Sequence, residues 1–253
     1  MNMEGQPYET GQAPERGAGP PDSGAATPEP GLVQRVLLVF MSPTKLGEIL
    51  RGRQPWFWTL AIVAVVSVVL FFLVPSDIFL ETMREQAARR PQGQEFDPES
   101  ALRMGRILGS IGWLLGTFIA AAVVAGVVYL VFNVMFGGDL TYKQHLSAVS
   151  HMYWINMLGL ILLVPLWIAQ EDMQVRLGLG LLLPDEPSSY FGHVLNSINL
   201  FGVWSAAALG AMESGLSGGR ISLGKGIWTV LALYLLWALI SAVWPTITGG
   251  VMG

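Results

Sequence analysis

Five apolar runs follow one another along the chain, separated by polar or glycine-rich segments. They cover residues 57–74, 107–136, 152–170, 191–213 and 227–247. A helix needs about 20 apolar residues to cross a bilayer, so each run is long enough, or nearly so, for one crossing. The pattern therefore predicts an all-α, polytopic membrane protein whose core is a five-span helical bundle.

Local signals predict where several of these helices begin and end. Asp97-Pro98 places a cap residue before a proline at the first helical position, and Thr141 with Gln144 has the spacing of a capping box. Gly137-Gly138 supplies glycine where a left-handed cap ends a helix. Pro165 lies inside the third run and predicts a kink there.

A shorter apolar piece, residues 32–41, precedes the first run, and a helix signal at Ser42-Pro43 follows it. The next helix has an apolar face and a polar face, formed by Leu46, Ile49 and Leu50 on one side and by Lys45 and Arg51 on the other. One interpretation is a helix on the membrane surface with its basic side toward the lipid head groups. The other is a helix that packs against the bundle as ordinary cover. These five residues are candidates for contact with the membrane surface or with a partner.

Two runs carry small residues at every fourth position, which places them on one side of a helix. Such faces allow close packing of transmembrane helices. The residues are Gly112, Gly116 and Ala120 in the second run and Gly202, Ala206 and Gly210 in the fourth.

Polar side chains inside the runs are the candidates for membrane function: Asn133, Asn156, His193, Asn196, Asn199 and Glu213. Such residues are costly in a bilayer and often functional. Asparagines that bond between helices contribute on the order of 1 kcal/mol each, which suits a structural role. A solute path is the alternative. Glu213 lies at the inner end of its run, close to Arg220 and Lys225, where solvation or pairing is expected.

No catalytic, cofactor or metal site is predicted. His145 and His151 are six positions apart, which puts them on different faces of a helix, and both are interpreted as interfacial or capped histidines. The motifs H-E-x-x-H, G-x-S-x-G and the phosphate-binding P-loop are absent, and no apolar run contains an aspartate in its interior.

Composition agrees with a membrane protein, since 52% of the residues are apolar and only 13% are charged. The net charge of −4 gives no argument for nucleic acid, and the absence of cysteine excludes disulfides and thiol chemistry. Residues 1–30 are rich in proline, glycine and alanine and predict a disordered cytoplasmic tail before a membrane domain at 31–253.

The turns before the third and fifth runs carry the basic residues Lys143, Arg220 and Lys225, whereas the loop before the fourth run is acidic. Because basic loops stay in the cytoplasm, we expect the amino terminus inside and the carboxyl terminus outside. The location expected is the cell membrane, or the inner membrane of a bacterium.

Three stretches together resemble the YIP domain family of Ypt/Rab-GTPase-interacting proteins, in particular its prokaryotic branch. They read RVLLVFMSPTKLGEIL at 35–50, FGGDLTYKQHLSAVSHMYW at 136–154 and LNSINLFGVWSAAALGAMESGLSGGRISLGKGI at 195–227. The resemblance implies a five-span bundle with a cytoplasmic amino terminus and no catalytic residues. Eukaryotic members lie in Golgi and endoplasmic reticulum membranes and associate with Rab GTPases and with one another.

These observations favour a non-enzymatic membrane scaffold or adaptor whose partners are the lipid bilayer and other membrane proteins or a second copy of the chain. The tail and the prokaryote-like motifs indicate a bacterial protein. A Rab-type GTPase is then a partner by family analogy alone, because bacteria lack that traffic. A small-solute transporter or channel component that uses the intramembrane asparagines is the alternative function.

Overall fold

The computed structural model describes residues 30–88, 97–183 and 189–247, and these ranges contain helices and no β-strand. The tail predicted at 1–30 lies outside the described residues except for Pro30. The helices are α1 (Leu32–Met41), α2 (Pro43–Gly52), α3 (Phe57–Phe72), α4 (Ser76–Ala88), α5 (Pro98–Tyr129), α6 (Tyr142–Gln170), α7 (Tyr190–Ser197), α8 (Leu200–Leu216), α9 (Leu223–Ser241) and α10 (Val243–Ile247). A π-helical turn, Leu130–Met135, continues α5, and a 3-10 turn covers Leu179–Leu182.

Three helical segments are long and apolar enough to cross a membrane: Pro98–Met135, Tyr142–Gln170 and Leu223–Ile247. A fourth candidate is the pair α3 and α4, which bends by 90° at its break. The prediction of an all-helical, multi-pass membrane protein is therefore confirmed, with three or four candidate spans by length and composition. A count of five stays a prediction.

The fourth apolar run is the place where the structure differs from the predicted helix. It forms α7 and α8, separated at Ile198 and Asn199, so the expectation of one helix over 191–213 is wrong. Asn199 has an extended backbone, and its side-chain oxygen accepts a hydrogen bond of 2.8 Å from the backbone N–H of Gly202. Asparagine favours this cap position over a helix interior, because its short polar side chain bonds to nearby backbone groups.

The predicted helix signals are confirmed at the start of α5, after the π-helical turn that continues it, and at the start of α6. The Asp97 side chain accepts from the backbone N–H of Glu99 at 3.2 Å at the start of α5. Gly137 has φ +69° just after the π-helical turn, which is the left-handed conformation that glycine adopts without strain. The capping box of Thr141 and Gln144 is present at the start of α6.

The corner between α3 and α4 is held by Arg106 of α5. Its Nη2 donates to the carbonyl oxygen of Val74 at 2.7 Å. The guanidinium also lies 5.7 Å and 5.6 Å from the ring centroids of Phe72 and Phe79, on the two sides of the corner. A cation–π contact on both helices together with a charge-assisted hydrogen bond stabilises the bend.

The helix α8 is the most buried element, with every residue from Ala208 to Leu216 buried. It packs against α2, α6 and α9. The helices α8 and α6 run antiparallel, because Phe201 lies against Gly159 while Glu213 lies against His145. The described residues from Gly31 onward form one compact unit.

The apolar face of α2 is turned toward α8. Leu46 and Leu50 are fully buried, Ile49 is partly buried, and Lys45 and Arg51 are exposed. Of the two interpretations of this helix, the contacts are those of a helix packed against the bundle. The apolar residues left exposed nearby belong to α1, where Val33, Leu37 and Met41 share one face.

Candidate functional site

A buried polar cluster joins α6, α8 and the end of α5. Nδ1 of His145 lies 2.8 Å from Oε2 of Glu213, and neither side chain is exposed. Nε2 of His145 lies 3.2 Å from Oδ1 of Asn133, whose Nδ2 donates to the carbonyl oxygen of Leu140. The contacts therefore form a chain from Glu213 through His145 and Asn133 to the loop between α5 and α6.

The π-helical turn positions Asn133 for this contact. A π-helix widens the backbone spiral, and such turns are frequent at functional sites. The loop closes tightly over the turn, because a Cβ at Gly138 would lie 2.7 Å from Asn133 Oδ1 and from the Phe132 carbonyl oxygen. The ring of Tyr129 meets the His145 ring edge-on at a centroid distance of 5.8 Å. Asn133 and His145 are thus held by packing as well as by hydrogen bonds.

The helix α2 covers the Glu213 end of the cluster. A Cβ at Gly47 would overlap the carbonyl oxygen of Met212, and a Cβ at Gly215 would overlap the carbonyl oxygen of Thr44. The two backbones therefore touch on both sides of Glu213. Because water is excluded there, removal of one partner would leave the other buried and unpaired, which is costly.

A second, partly buried contact joins α6 to α8 nearer the middle of the bundle. The Ser205 hydroxyl donates to Oδ1 of Asn156 at 2.8 Å. The nearby Gly159 accommodates the ring of Phe201, which lies about 2.9 Å from where a Cβ would be. One inter-helix hydrogen bond and one close contact thus hold this level of the bundle together.

The other three predicted polar residues lie at the far end of α8. Asn199 caps that helix, and its backbone N–H lies 3.3 Å from the hydroxyl of Tyr234. Asn196 lies against the preceding segment, where its backbone occupies the space that a Cβ would need at Gly178 and its side chain occupies that space at Gly180. His193 is partly buried in α7. Asn156 therefore meets α8 at Ser205, whereas Asn199 lies at the beginning of α8, so the two asparagines are apart along that helix.

The small-residue faces have two different surroundings. On α8, a Cβ at Gly202 would overlap the hydroxyl of Tyr234, Ala206 is buried, and Gly210 touches the backbone of Gly226 in α9. On α5, nothing lies within 4 Å of the place where a Cβ would be at Gly112 or Gly116. Those two glycines and Ala120 line a cavity between α3, α5 and α6.

Basic residues surround the end of the bundle at which α2 lies. Arg220 bonds to Asp139, and this hydrogen bond holds the pKa of the Asp139 carboxyl below its usual value. Lys225 Nζ lies 3.8 Å from the centroid of the Phe136 ring. The backbone carbonyl of Arg51 accepts from Gln144 Nε2 at 2.8 Å, which ties α2 to the start of α6.

A family model described as the Yip1 domain matches residues 37–247. The chain belongs to the Yip1 domain family. The resemblance drawn from the three sequence stretches is thereby confirmed at the level of the family. No curated protein and no solved structure matches the chain.

The polar cluster of this Yip1 domain was not predicted from the sequence. Glu213 was expected to be solvated or paired near Arg220 and Lys225, and His145 to be interfacial or capped, but the two are fully buried against each other. The sequence contained one signal for the pair: the ionisable residues His145 and Glu213 lie near the predicted cytoplasmic ends of the third and fourth apolar runs. Whether these two side chains meet depends on how α6 and α8 are rotated about their axes when they pack.

In the part of the Yip1 domain that the structure describes, no group of three or more histidine, aspartate or glutamate residues lies close enough together to hold an ion. His151, the second histidine of α6, is fully buried and its Nδ1 lies 2.7 Å from the carbonyl oxygen of Ser147 in the preceding turn.

Proposed function

We propose that this Yip1-domain protein is a non-enzymatic membrane scaffold or adaptor, and that it holds partner membrane proteins at the end of the bundle where α2 lies. The family is one of membrane proteins and is not known for enzymatic activity. In this proposal that end of the bundle faces the cytoplasm, as the basic turns favour.

The observation that carries the proposal is the docking of α2. Its apolar side is buried and its backbone touches α8 at Gly47 and Gly215, so the helix is held firmly. Its polar side, with Lys45, Glu48 and Arg51, is exposed. A surface that is already ordered loses less conformational freedom when a partner binds.

Charge around α2 supports the same use. Lys143, Arg220 and Lys225 are exposed on the neighbouring helix starts and turns. Together with Lys45 and Arg51 they give this end an excess of positive charge. Such a surface increases the rate at which acidic partner segments associate and helps to select them.

Co-purification from native membranes tests the proposal. The full-length protein with a tag at its carboxyl end is compared with the variant Lys45→Glu/Lys143→Glu. The matched control, Arg103→Glu/Arg176→Glu, makes the same change of charge at exposed positions on the opposite end of the bundle. Point variants are preferred to a deletion of residues 1–53, which would uncover Met212 and Leu216 of α8.

We expect a partner membrane protein at near-stoichiometric yield with the wild type and the control, and its loss with Lys45→Glu/Lys143→Glu. Equal recovery from all three proteins would place the partner surface elsewhere. If only this chain is recovered from every sample, the adaptor proposal fails, and solute flux through reconstituted protein tests the transport alternative.

A further inference from the structure

A cavity of about 460 Å³ lies between α3, α5 and α6 and opens toward the outside of the bundle. Its α5 wall includes Gly112, Gly116 and Trp113, and Trp113 is 45% exposed. Small-molecule sites in proteins commonly have volumes of about 300–1,000 Å³, lie between the helices of bundles and are mostly apolar. The size and place of this cavity are those of such a site.

The empty space on the α5 side arises from two glycines that make no close helix contact. At Gly112 and Gly116 no atom lies within 4 Å of the place where a Cβ would be. Glycine in a helix costs about 1 kcal/mol relative to alanine. On α8 the glycines allow backbones to touch, whereas on α5 these two leave the cavity open.

The polar groups of the wall are few and uncharged. Ser67 of α3 is only 5% exposed, lines the cavity, and has no hydrogen-bond partner for its hydroxyl among the residues that the structure describes. Tyr153 contributes a phenol. Asn156 also lines the cavity, and because its Oδ1 accepts from Ser205, its amide N–H groups are the donors that it can offer a ligand. Inside a membrane a hydroxyl that faces an apolar space without a partner is costly, and a ligand oxygen that accepts its hydrogen would satisfy it.

We propose that this cavity binds an uncharged, lipid-soluble molecule that carries a carbonyl oxygen, which accepts hydrogen bonds from Ser67, Tyr153 and Asn156. All three side chains can act as donors. Among the residues that the structure describes, no lysine, arginine or histidine lines the cavity, so a carboxylate or phosphate would enter without a counter-charge from them, at high cost inside a membrane.

The volume of the cavity and its depth in the membrane further restrict the kinds of molecule that it can bind. A transmembrane helix is about 10 Å wide and about 30 Å long, several times the volume of the cavity, so it would only lie across the opening. Asn156 lies at the middle of the 29-residue helix α6. The carbonyl groups of phospholipids lie near the membrane surface and do not reach this depth, whereas a neutral lipid-soluble molecule does.

Photolabelling with 4-decylbenzophenone tests the inference directly. This probe carries a carbonyl group on aromatic rings and a hydrocarbon chain, and light inserts it into nearby C–H bonds. The full-length protein in lipid nanodiscs is labelled over a range of probe concentrations, and the labelled peptides are identified by mass spectrometry. We expect saturable labelling on the peptides that contain Ser67, Gly116 and Tyr153.

A cavity-filling variant and a matched control separate the cavity from general partition into lipid. Gly116→Leu fills the space without meeting any atom within 4 Å of its Cβ, so the fold is expected to persist. Gly126→Leu makes the same change on the same helix, also in open space but away from the cavity. We expect Gly116→Leu to lower saturable labelling about tenfold, because the added side chain occupies the site, and Gly126→Leu to leave it unchanged.

A second variant, Ser67→Ala/Tyr153→Phe, removes two donors and keeps the shape of the cavity. We expect it to weaken labelling about fivefold, as the loss of net hydrogen-bond stabilisation implies. Thermal unfolding of each variant establishes that it is folded, and Gly112→Leu replaces Gly116→Leu if the latter is not.

Labelling that spreads evenly over lipid-facing peptides and is unaffected by Gly116→Leu would overturn the site. Labelling that falls with Gly116→Leu and not with Ser67→Ala/Tyr153→Phe would overturn the recognition of a carbonyl oxygen. Neither readout depends on the co-purified partner, so this inference and the proposed adaptor function fail independently.

Discussion

Gly210 of α8 and Gly226 of α9 face each other so closely that a Cβ on either residue would overlap the backbone carbonyl oxygen of the other. Close approach of backbones is a common way for transmembrane helices to associate, since lipid provides no hydrophobic drive between them. The backbones of α8 and α9 thus come into direct contact at these two glycines.

The substitution Gly210→Ala is expected to destabilise the protein by about 1–3 kcal/mol, the usual cost of overpacking a tight contact. Unfolding by denaturant in detergent micelles measures the change in the free energy of unfolding. Gly224→Ala, two positions from Gly226 on α9, is the control, because nothing lies within 4 Å of its Cβ position. Equal effects of the two substitutions would show that the contact does not limit helix packing.

Loss of one member of the Glu213–His145 pair should be more harmful than loss of both. His145→Leu leaves the fully buried carboxyl of Glu213 without its partner and is expected to cost about 3–5 kcal/mol. The double variant His145→Leu/Glu213→Leu replaces both by apolar side chains and should recover most of that loss. Unfolding free energies of the two single variants and the double variant measure the coupling, and additive effects would contradict a direct interaction.

The Ser205–Asn156 hydrogen bond distinguishes structural use of an intramembrane asparagine from use in a solute path. We expect Ser205→Ala and Asn156→Ala to show a coupling energy of about 0.6–1.7 kcal/mol in a double-mutant cycle, as hydrogen bonds between membrane helices do. Flux of small solutes into vesicles that contain each variant should equal that of the wild type. A change of flux without a change of stability would favour the path.

The side-chain cap at Asn199 should stabilise the start of α8. Asn199→Ala removes the oxygen that accepts from the backbone N–H of Gly202 and is expected to cost about 0.5–2 kcal/mol. Asn199→Ser retains an acceptor oxygen and should lose much less. Thermal unfolding of the two variants checks the difference, and equal losses would assign the effect to the packing of the asparagine rather than to its cap.

The sequence was a sufficient guide to those features that depend on a few consecutive residues. The start of α5 at Asp97-Pro98, the capping box at Thr141 and the end at Gly137 follow from bonds within one turn of backbone. The apolar runs predicted a multi-pass helical protein, since burial in lipid requires nearly every residue of a span to be apolar. The family followed from the order of three short stretches, and the match over residues 37–247 confirms it.

The break in the fourth run shows where a local pattern becomes ambiguous. The run around Asn199 is apolar enough for one helix, but the same asparagine is also a good helix cap. In the folded protein Asn199 acts as the cap, and its backbone N–H also contacts the hydroxyl of Tyr234, a residue 35 positions away in the chain. Apolar periodicity does not contain this information, because it describes the composition of a segment and not its neighbours.

The order of residues alone therefore predicts the class of the protein, its family, the helix ends set by local capping and the residues able to form close or polar contacts. Which of these contacts exist depends on how the helices pack. Small residues at the same four-residue spacing pack closely against α9 on α8 and line an open cavity on α5, and Glu213 meets His145 from 68 positions away in the chain. The physical reason is that spacing fixes only the side of a helix on which a residue lies, whereas the rotation and separation of the packed helices decide what that side meets.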